Sequence, residues 1–290
     1  MTETPIIPTG RLPLLGSSVV RRLIGQRGAM VAGAAILIVI IGASFLAPWI
    51  TPYDPLDQNL RGGLKPPSWE HLFGTDNFGR DIFTRVLYAA KIDLSISFLC
   101  VLFPWVLGTI LGALAGYFGG FADTLIMRTV DTFTAFPFLI MAIGVIAVLG
   151  PGMTSIYIAL TLAGWSMYAR IVRAEVLVVK RAEYILAARA LGFSHARIIA
   201  RHVLPNIITP TIIFAMTDIV LVILSTTTLA FLGLGLPPPT PTWGTMISEG
   251  KSFIFTAWWI VTLPGLAIVL VGISLSLLGD GIADWLRNRE

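Results

Sequence analysis

Long apolar blocks alternate with short intervals rich in proline, glycine or arginine along most of the chain. The blocks at 29–50, 95–117, 125–149, 155–171, 207–232 and 256–278 each approach the ~20 residues with which an α-helix crosses a hydrocarbon core of ~30 Å. The pattern predicts an all-α polytopic membrane protein with six transmembrane helices and both termini on one side. Its parts are an N-terminal segment at 1–28, a first crossing at 29–50, an extracytoplasmic loop at 51–92, a core at 93–280 and a tail at 281–290. Arg21, Arg22 and Arg27 before the first block resemble the basic start of a signal peptide. That block's ~22 apolar residues exceed the ~7–15 of a secretory core, so a retained anchor is expected.

Two intervals break the apolar pattern at length. The loop at 51–92 carries TPYDP near its start, GGLKPPS in its middle and then HLFGTDNFGRD, a composition that favours turns and extended chain over helix. It reads as an ordered connector capping the outer mouth, or as a contact surface for an external delivery protein.

The interval at 172–206 differs, because EYILAARALGFSHARIIARHVLPN (183–206) has helical periodicity. Tyr184, Ala187, Ala188 and Leu191 recur at i, i+3, i+4 and i+7, which predicts one apolar face with two methyl-sized positions at its centre. Gly192 suits a left-handed helix terminus, and Ser194 suits the cap of a second helix carrying Ile198, Ile199 and Val203. Pro205 biases the chain to leave the helix at Leu204. A helix this short is marginal alone in water and docks against something. Periodicity leaves a partner protein on one hand, and the membrane surface or the chain's own bundle on the other, equally open.

Charge sets the orientation. The chain is 56% hydrophobic and only 12% charged, and its formal net charge is +4. A surplus of basic residues raises the question of nucleic acid, but here they flank the apolar blocks. With the N-terminus inside, Arg11, Arg128, Arg170, Arg173, Lys180, Arg181, Arg189, Arg197, Arg201, Arg287 and Arg289 join the three leading arginines in the cytoplasm. Outside remain Arg61, Lys65, Arg80, Arg85, Lys91 and Lys251. The bias predicts N-in and C-in, with 172–206 cytoplasmic and open to a soluble partner.

The catalytic motifs sought are absent. There is no G-x-x-x-x-G-K-[ST] phosphate loop, no G-x-S-x-G elbow and no complete dinucleotide fingerprint around GLGLPP at 233–238. His71, His195 and His202 lack the i, i+4 spacing of a metalloprotease helix, and the single Cys100 cannot form an internal disulfide. No metal site, cofactor or enzymatic activity is expected of this chain. ATP, if used, is bound by another chain.

The 183–206 segment resembles the cytoplasmic EAA loop of binding-protein-dependent ABC importer permeases, with its Glu-Ala-Ala, a Gly four residues after the second Ala and a later Leu-Pro pair. Ala187, Ala188, Gly192, Leu204 and Pro205 match. Leu186 occupies the Glu position, leaving Glu183 as the nearby acid. HLFGTDNFGRDIFTRVLYAAKIDLSI (71–96), FLGLGLPPPTPTWGTMISEG (231–250) and LLGDGIADWL (277–286) are similar to segments of the C-type permease of dipeptide, oligopeptide and nickel importers.

The resemblance implies a type I importer permease fold in a bacterial inner membrane, forming half of a pathway for short peptides. It implies a homologous permease subunit as heterodimer partner, two ATP-binding subunits and an extracytoplasmic substrate-binding protein, with no nucleic acid involved. Ala187 and Ala188 then allow close docking on an ATP-binding subunit, and Arg189, Arg197 and Arg201 meet acidic groups or lipid phosphates. Nickel or another small solute is the alternative cargo. A self-sufficient secondary transporter, with an inverted repeat, is the alternative machine.

Three candidate pathway residues follow. Asp218 lies ~18 Å into its span counting from Asn206 at ~1.5 Å per residue, a depth at which an Asp faces the bundle, a partner or water. Thr226 belongs to the hydroxyl run Ser225–Thr228, which can bond its own backbone or a neighbouring helix. Phe136 neighbours Pro137, which is expected to kink the third span.

The charge distribution generates a topology test. A cysteine at Ser194 is expected to react with impermeant reagents only from the cytoplasmic side, and one at Ser68 only from outside. Labelling of both from one face would overturn the six-span orientation.

Overall fold

The computed structural model describes residues 15–287, so Arg11 and Arg289 lie outside the described residues. The elements are helices α1 (Leu15–Phe45), α2 (Ala47–Ile50), α3 (Ile82–Phe118), α4 (Gly120–Thr134), α5 (Phe138–Leu149), α6 (Met153–Val179), α7 (Glu183–Ala190) and α8 (His195–Ile198). A π-helical turn (Ile199–Val203) leads into α9 (Leu204–Phe231), followed by α10 (Trp243–Gly250) and α11 (Trp259–Arg287). Among the described residues, five helical stretches are long and apolar enough to cross a membrane, and α4 with α5 makes a sixth if the bent pair counts as one span.

Three local outcomes differ from the sequence pattern. Helix α3 starts at Ile82, so the last part of the 51–92 interval is helical. The turn residues stop at Gly79, and the Asp81 carboxylate accepts the Thr84 N–H at 2.8 Å, which caps the helix early. The third span is broken rather than kinked, with 83° between α4 and α5. Pro137 has no N–H to donate and disfavours α geometry at Phe136, so the helix ends and a new one begins. At Pro205 the helix does not end. The π turn before it bonds Leu204 N–H to Ile199 O, and Pro205 falls in the first turn of α9, where a missing N–H costs little.

The centre of the fold is the pairing of α3 with α6, which share the most extensive helix contact. Gly108, Gly112 and Gly116 recur every fourth residue on one face of α3 and are all buried. A Cβ on Gly108 would sit 2.6 Å from Trp165 O, one on Gly112 2.9 Å from Val172 Cβ, and one on Gly116 2.8 Å from Val176 Cβ. None of these distances admits a side chain, so the two backbones meet directly, as small residues at four-residue spacing allow in membranes. Helix α9 completes this core from the other side, where Trp105 Nε1–H donates to Thr211 Oγ1 at 3.0 Å.

The outer end is closed by buried polar contacts. Arg80 donates from Nε to Asp76 Oδ2 and from Nη2 to Glu249 Oε2, both at 2.6 Å, and buried Arg85 donates to Pro55 O at 3.2 Å. Trp259 Nε1–H donates to Thr75 O at 3.1 Å, and the Trp243 backbone N–H at the start of α10 donates to Asp93 Oδ2 at 2.7 Å. The 51–81 loop is thereby tied to α3, α10 and α11 as an ordered cap.

Replacement of Gly112 by Val is expected to force α3 and α6 apart, at a cost on the order of 1–3 kcal/mol. Gly265→Val serves as the control, since among the described residues nothing lies within 4 Å of the point a Cβ would occupy on that helical glycine. Thermal denaturation of the detergent-purified chain should show a lowered midpoint for the first variant only.

Candidate functional site

The inner ends of α3 and α6 form a platform. Tyr117, Val172 and Val176 are buried there together with Ile185 and Ala188 of α7 and with Ile198, Val203 and Ile207. Polar contacts lock the same elements: the Tyr117 hydroxyl lies 3.0 Å from His195 Nδ1, the Arg189 guanidinium sits 5.0 Å over the Tyr117 ring, and Lys180 Nζ donates to Gly116 O at 2.6 Å. Lys180 and Gly116 thus staple the two inner helix ends at the point where α7 leaves.

Helix α7 ends as its sequence requires. Gly192 has φ of 76°, the left-handed conformation expected of it. Gly192 N–H donates to Arg189 O at 2.9 Å and Phe193 N–H to Ala188 O at 3.1 Å. This double closure is a Schellman motif, and the apolar Phe193–Ala188 pairing accompanies it. Ser194 then caps α8 by accepting Arg197 N–H at 3.4 Å.

The apolar face of α7 differs from the predicted one. Of Tyr184, Ala187, Ala188 and Leu191, only Ala188 is buried. The inward pair is Ile185 with Ala188, because the platform meets α7 along that edge. Tyr184, Leu186 and Leu191 are left 47%, 52% and 74% exposed, with Ala187 and Glu183 also exposed. Leu204 is partly buried against the platform and Pro205 is exposed. The matched EAA-type positions therefore divide into an anchored set, Ala188 and Leu204, and an outward set, Ala187 and Pro205, with Gly192 shaping the turn and the divergent Leu186 also outward.

The candidate pathway residues do not form one cluster. Asp218, half-buried in α9, accepts a hydrogen bond from the Tyr168 hydroxyl of α6 at 2.8 Å, and the Tyr168 ring packs edge-on to Phe214 at 5.0 Å. Thr226 lies about 12 Å farther along the same helix at ~1.5 Å per residue, and its hydroxyl donates to Ile223 O at 2.9 Å. Ser225, Thr227 and Thr228 likewise donate to carbonyls of their own helix. Phe136 occupies the break before α5 and is exposed, whereas neighbouring Phe133 packs on Trp165.

Sequence reasoning missed Tyr168, Tyr117 and the α3 glycines. The four-residue glycine spacing was a readable signal for the last. Nothing in the local pattern marks either tyrosine, since each acquires its role from a residue at least 50 positions away.

Residues 108–290 match the family model of the binding-protein-dependent transport system inner membrane component, and residues 15–67 match the N-terminal transmembrane domain of oligopeptide transport permease C. The chain belongs to this family of inner-membrane transport permeases. It is 40% identical over 254 residues to the dipeptide transport system permease protein DppC of Alkalihalophilus pseudofirmus, covering 88% of this chain and 84% of that one. It is 38% identical over 268 residues to the glutathione transport system permease protein GsiD of Pectobacterium atrosepticum, covering 91% and 88%. The fold is similar to that of the inward-facing MetNI methionine ABC transporter, with a TM-score of 0.57 at 17% identity over 71% of this chain and 97% of that one. The type I importer permease fold and the inner-membrane location follow.

The Tyr168–Asp218 contact crosses between two spans of this permease. A double-mutant cycle of Tyr168→Phe and Asp218→Leu, read by unfolding in mixed micelles, is expected to give a coupling near the average of about 0.6 kcal/mol for interhelical hydrogen bonds in membranes, and no more than about 1.7 kcal/mol. Strict additivity would show that the two side chains act independently.

Proposed function

We propose that this permease forms half of the translocation pathway of an ATP-driven importer of short peptides, and that α7 receives the movement of an ATP-binding subunit. The observation that carries the reading is the outward surface of α7. Exposed Tyr184, Leu186, Ala187 and Leu191 stand at the end that the Lys and Arg distribution assigns to the cytoplasm, outside the apolar spans. Apolar side chains gathered there call for a protein surface to cover them. The opposite edge of α7 is fixed to the inner ends of α3 and α6, so a push on the helix moves the spans instead of bending a loop.

Leu186 fits this role differently from the acidic residue of the resembled pattern. A Glu there would offer charge to its partner. Leu186 offers 52% of its surface to apolar contact, so docking by this chain leans on burial. Glu183, at the first turn of α7, supplies the remaining negative charge and favours the helix start.

The partners in this reading are a homologous permease subunit, two ATP-binding subunits and an extracytoplasmic binding protein. A short peptide suits the pathway because the relatives named for a dipeptide and for glutathione carry cargo of that chemical class. Asp218 is placed to meet a passing cation from mid-span, while Thr226 and Phe136 flank the outer and inner parts of the route.

Proteoliposomes containing the chain with its partner subunits should take up a labelled dipeptide only when ATP is supplied to the cytoplasmic face. Uptake driven by an ion gradient without ATP would overturn the importer reading. Within that assay, Gly192→Val is expected to place a branched side chain at φ 76°, at a cost above about 1 kcal/mol, and to misaim α7. Transport and solute-stimulated ATP hydrolysis should fall together while the subunits still assemble. Normal stimulation in the assembled variant would exclude α7 as the transmission element.

A further inference from the structure

The outer half of α1 leaves a groove against α3. Near its inner half α1 is pressed onto α11, where a Cβ on Gly33 would lie 2.6 Å from Ser274 O and one on Gly281 would lie 2.6 Å from Met30 Cβ. Nine residues on, at the opposite face of α1, nothing among the described residues lies within 4 Å of a Cβ on Gly42. The gap between α1 and α3 is a cavity of about 280 Å³. Leu37, Ile41 and Phe45 wall one side and Leu94 and Phe98 the other, with Ile219 of α9 at its back.

One charged group stands at the mouth. Lys91 lines the cavity beside Phe45 and Ser44, with its ammonium 5.0 Å over the Phe45 ring. Among the described residues it has no carboxylate within 4 Å, unlike Lys65, which pairs with Glu70 at 3.9 Å. A lysine over a ring face keeps most of its N–H donors free, and its long stem lets the head reach the interface. Its level along the fold is that of the last turn of α1, directly below the ordered outer loop. A second cavity of about 280 Å³ on the other side of α1, walled by Val39, Phe83, Leu87 and Leu266, is apolar without a charged lining residue.

We propose that the α1–α3 groove is a binding site for one anionic phospholipid of the outer leaflet. An acyl chain lies along Leu37, Ile41 and Phe98, and the headgroup phosphate meets the Lys91 ammonium. Three features select this occupant. The groove is open along a rim where Ile41, Phe45 and Phe98 are exposed, and it runs along α1 for ~12 Å, counting from Phe45 to Leu37 at ~1.5 Å per residue. Its walls are hydrocarbon, which suits a chain and disfavours a polar solute. Its one cation, at headgroup depth and without a carboxylate partner among the described residues, complements an anion. A lipid so placed fills the groove between α1 and α3.

The test is native mass spectrometry of the full-length chain, delipidated in detergent and titrated with phosphatidylglycerol or with phosphatidylcholine of equal chain length. One phosphatidylglycerol should bind at least about five-fold more tightly than phosphatidylcholine, the order of preference that one lysine near the surface supports. Lys91→Gln should remove that preference and Lys91→Arg should keep it. Lys251→Gln, which removes another outer lysine held over a ring, that of Phe231 at 4.9 Å, should leave it intact. Ser95→Phe, which obstructs the groove with the cation retained, should weaken both lipids. Equal binding of the two lipids by the unaltered chain would overturn the proposal whatever the variants do. Equal loss in Lys91→Gln and Lys251→Gln would also overturn it, since the preference would then belong to surface charge at large. So would full binding by Ser95→Phe.

Discussion

Direct contact between the backbones of α3 and α6 is the constraint on which the rest of this permease depends. Lipid gives no hydrophobic reward for bringing two apolar helices together, so the association relies on close packing. Gly108, Gly112 and Gly116 supply it along two full turns. Because the contact reaches the last turns of both helices, their inner ends come out level and fixed, with Tyr117, Val172 and Val176 side by side. That pair of ends is why an eight-residue helix such as α7 holds a defined position. A looser interface would leave α7 attached to a moving base.

The two ends of the molecule are stabilised by different physics. Outside, a loop with little regular structure is held by buried ion pairs and by indole N–H groups reaching backbone carbonyls. Those bonds are directional, and removal of one partner strands another charge. Inside, α7 rests on aliphatic and methyl groups, with Tyr117 and His195 adding a hydrogen bond at the rim. The fastening at the outer end is therefore polar and directional, and the seat of α7 is mainly apolar.

Much of this was legible in the chain itself. Apolar block length located the spans, and Gly192 with Ser194 located the turn between α7 and α8, because helix ends are specified by neighbours in sequence. What escaped was decided by distant parts of the chain. The buried edge of α7 is Ile185 with Ala188 because the platform lies on that side, and an eight-residue periodicity is too short to choose between adjacent edges. Pro205 read as a stop, since local rules do not foresee that a wider turn before it absorbs the missing donor. The bend at Pro137 was visible as a position, but its 83° depends on what α4 and α5 each pack against.

The outer cap contains Asp76 and Glu249 against Arg80 and Arg85, two charges of each sign within one buried cluster. Viewed from beyond a Debye length of ~8 Å, such a quadruplet has almost no field of its own. The quadruplet therefore fastens the cap without itself attracting or repelling a solute by the sign of its charge.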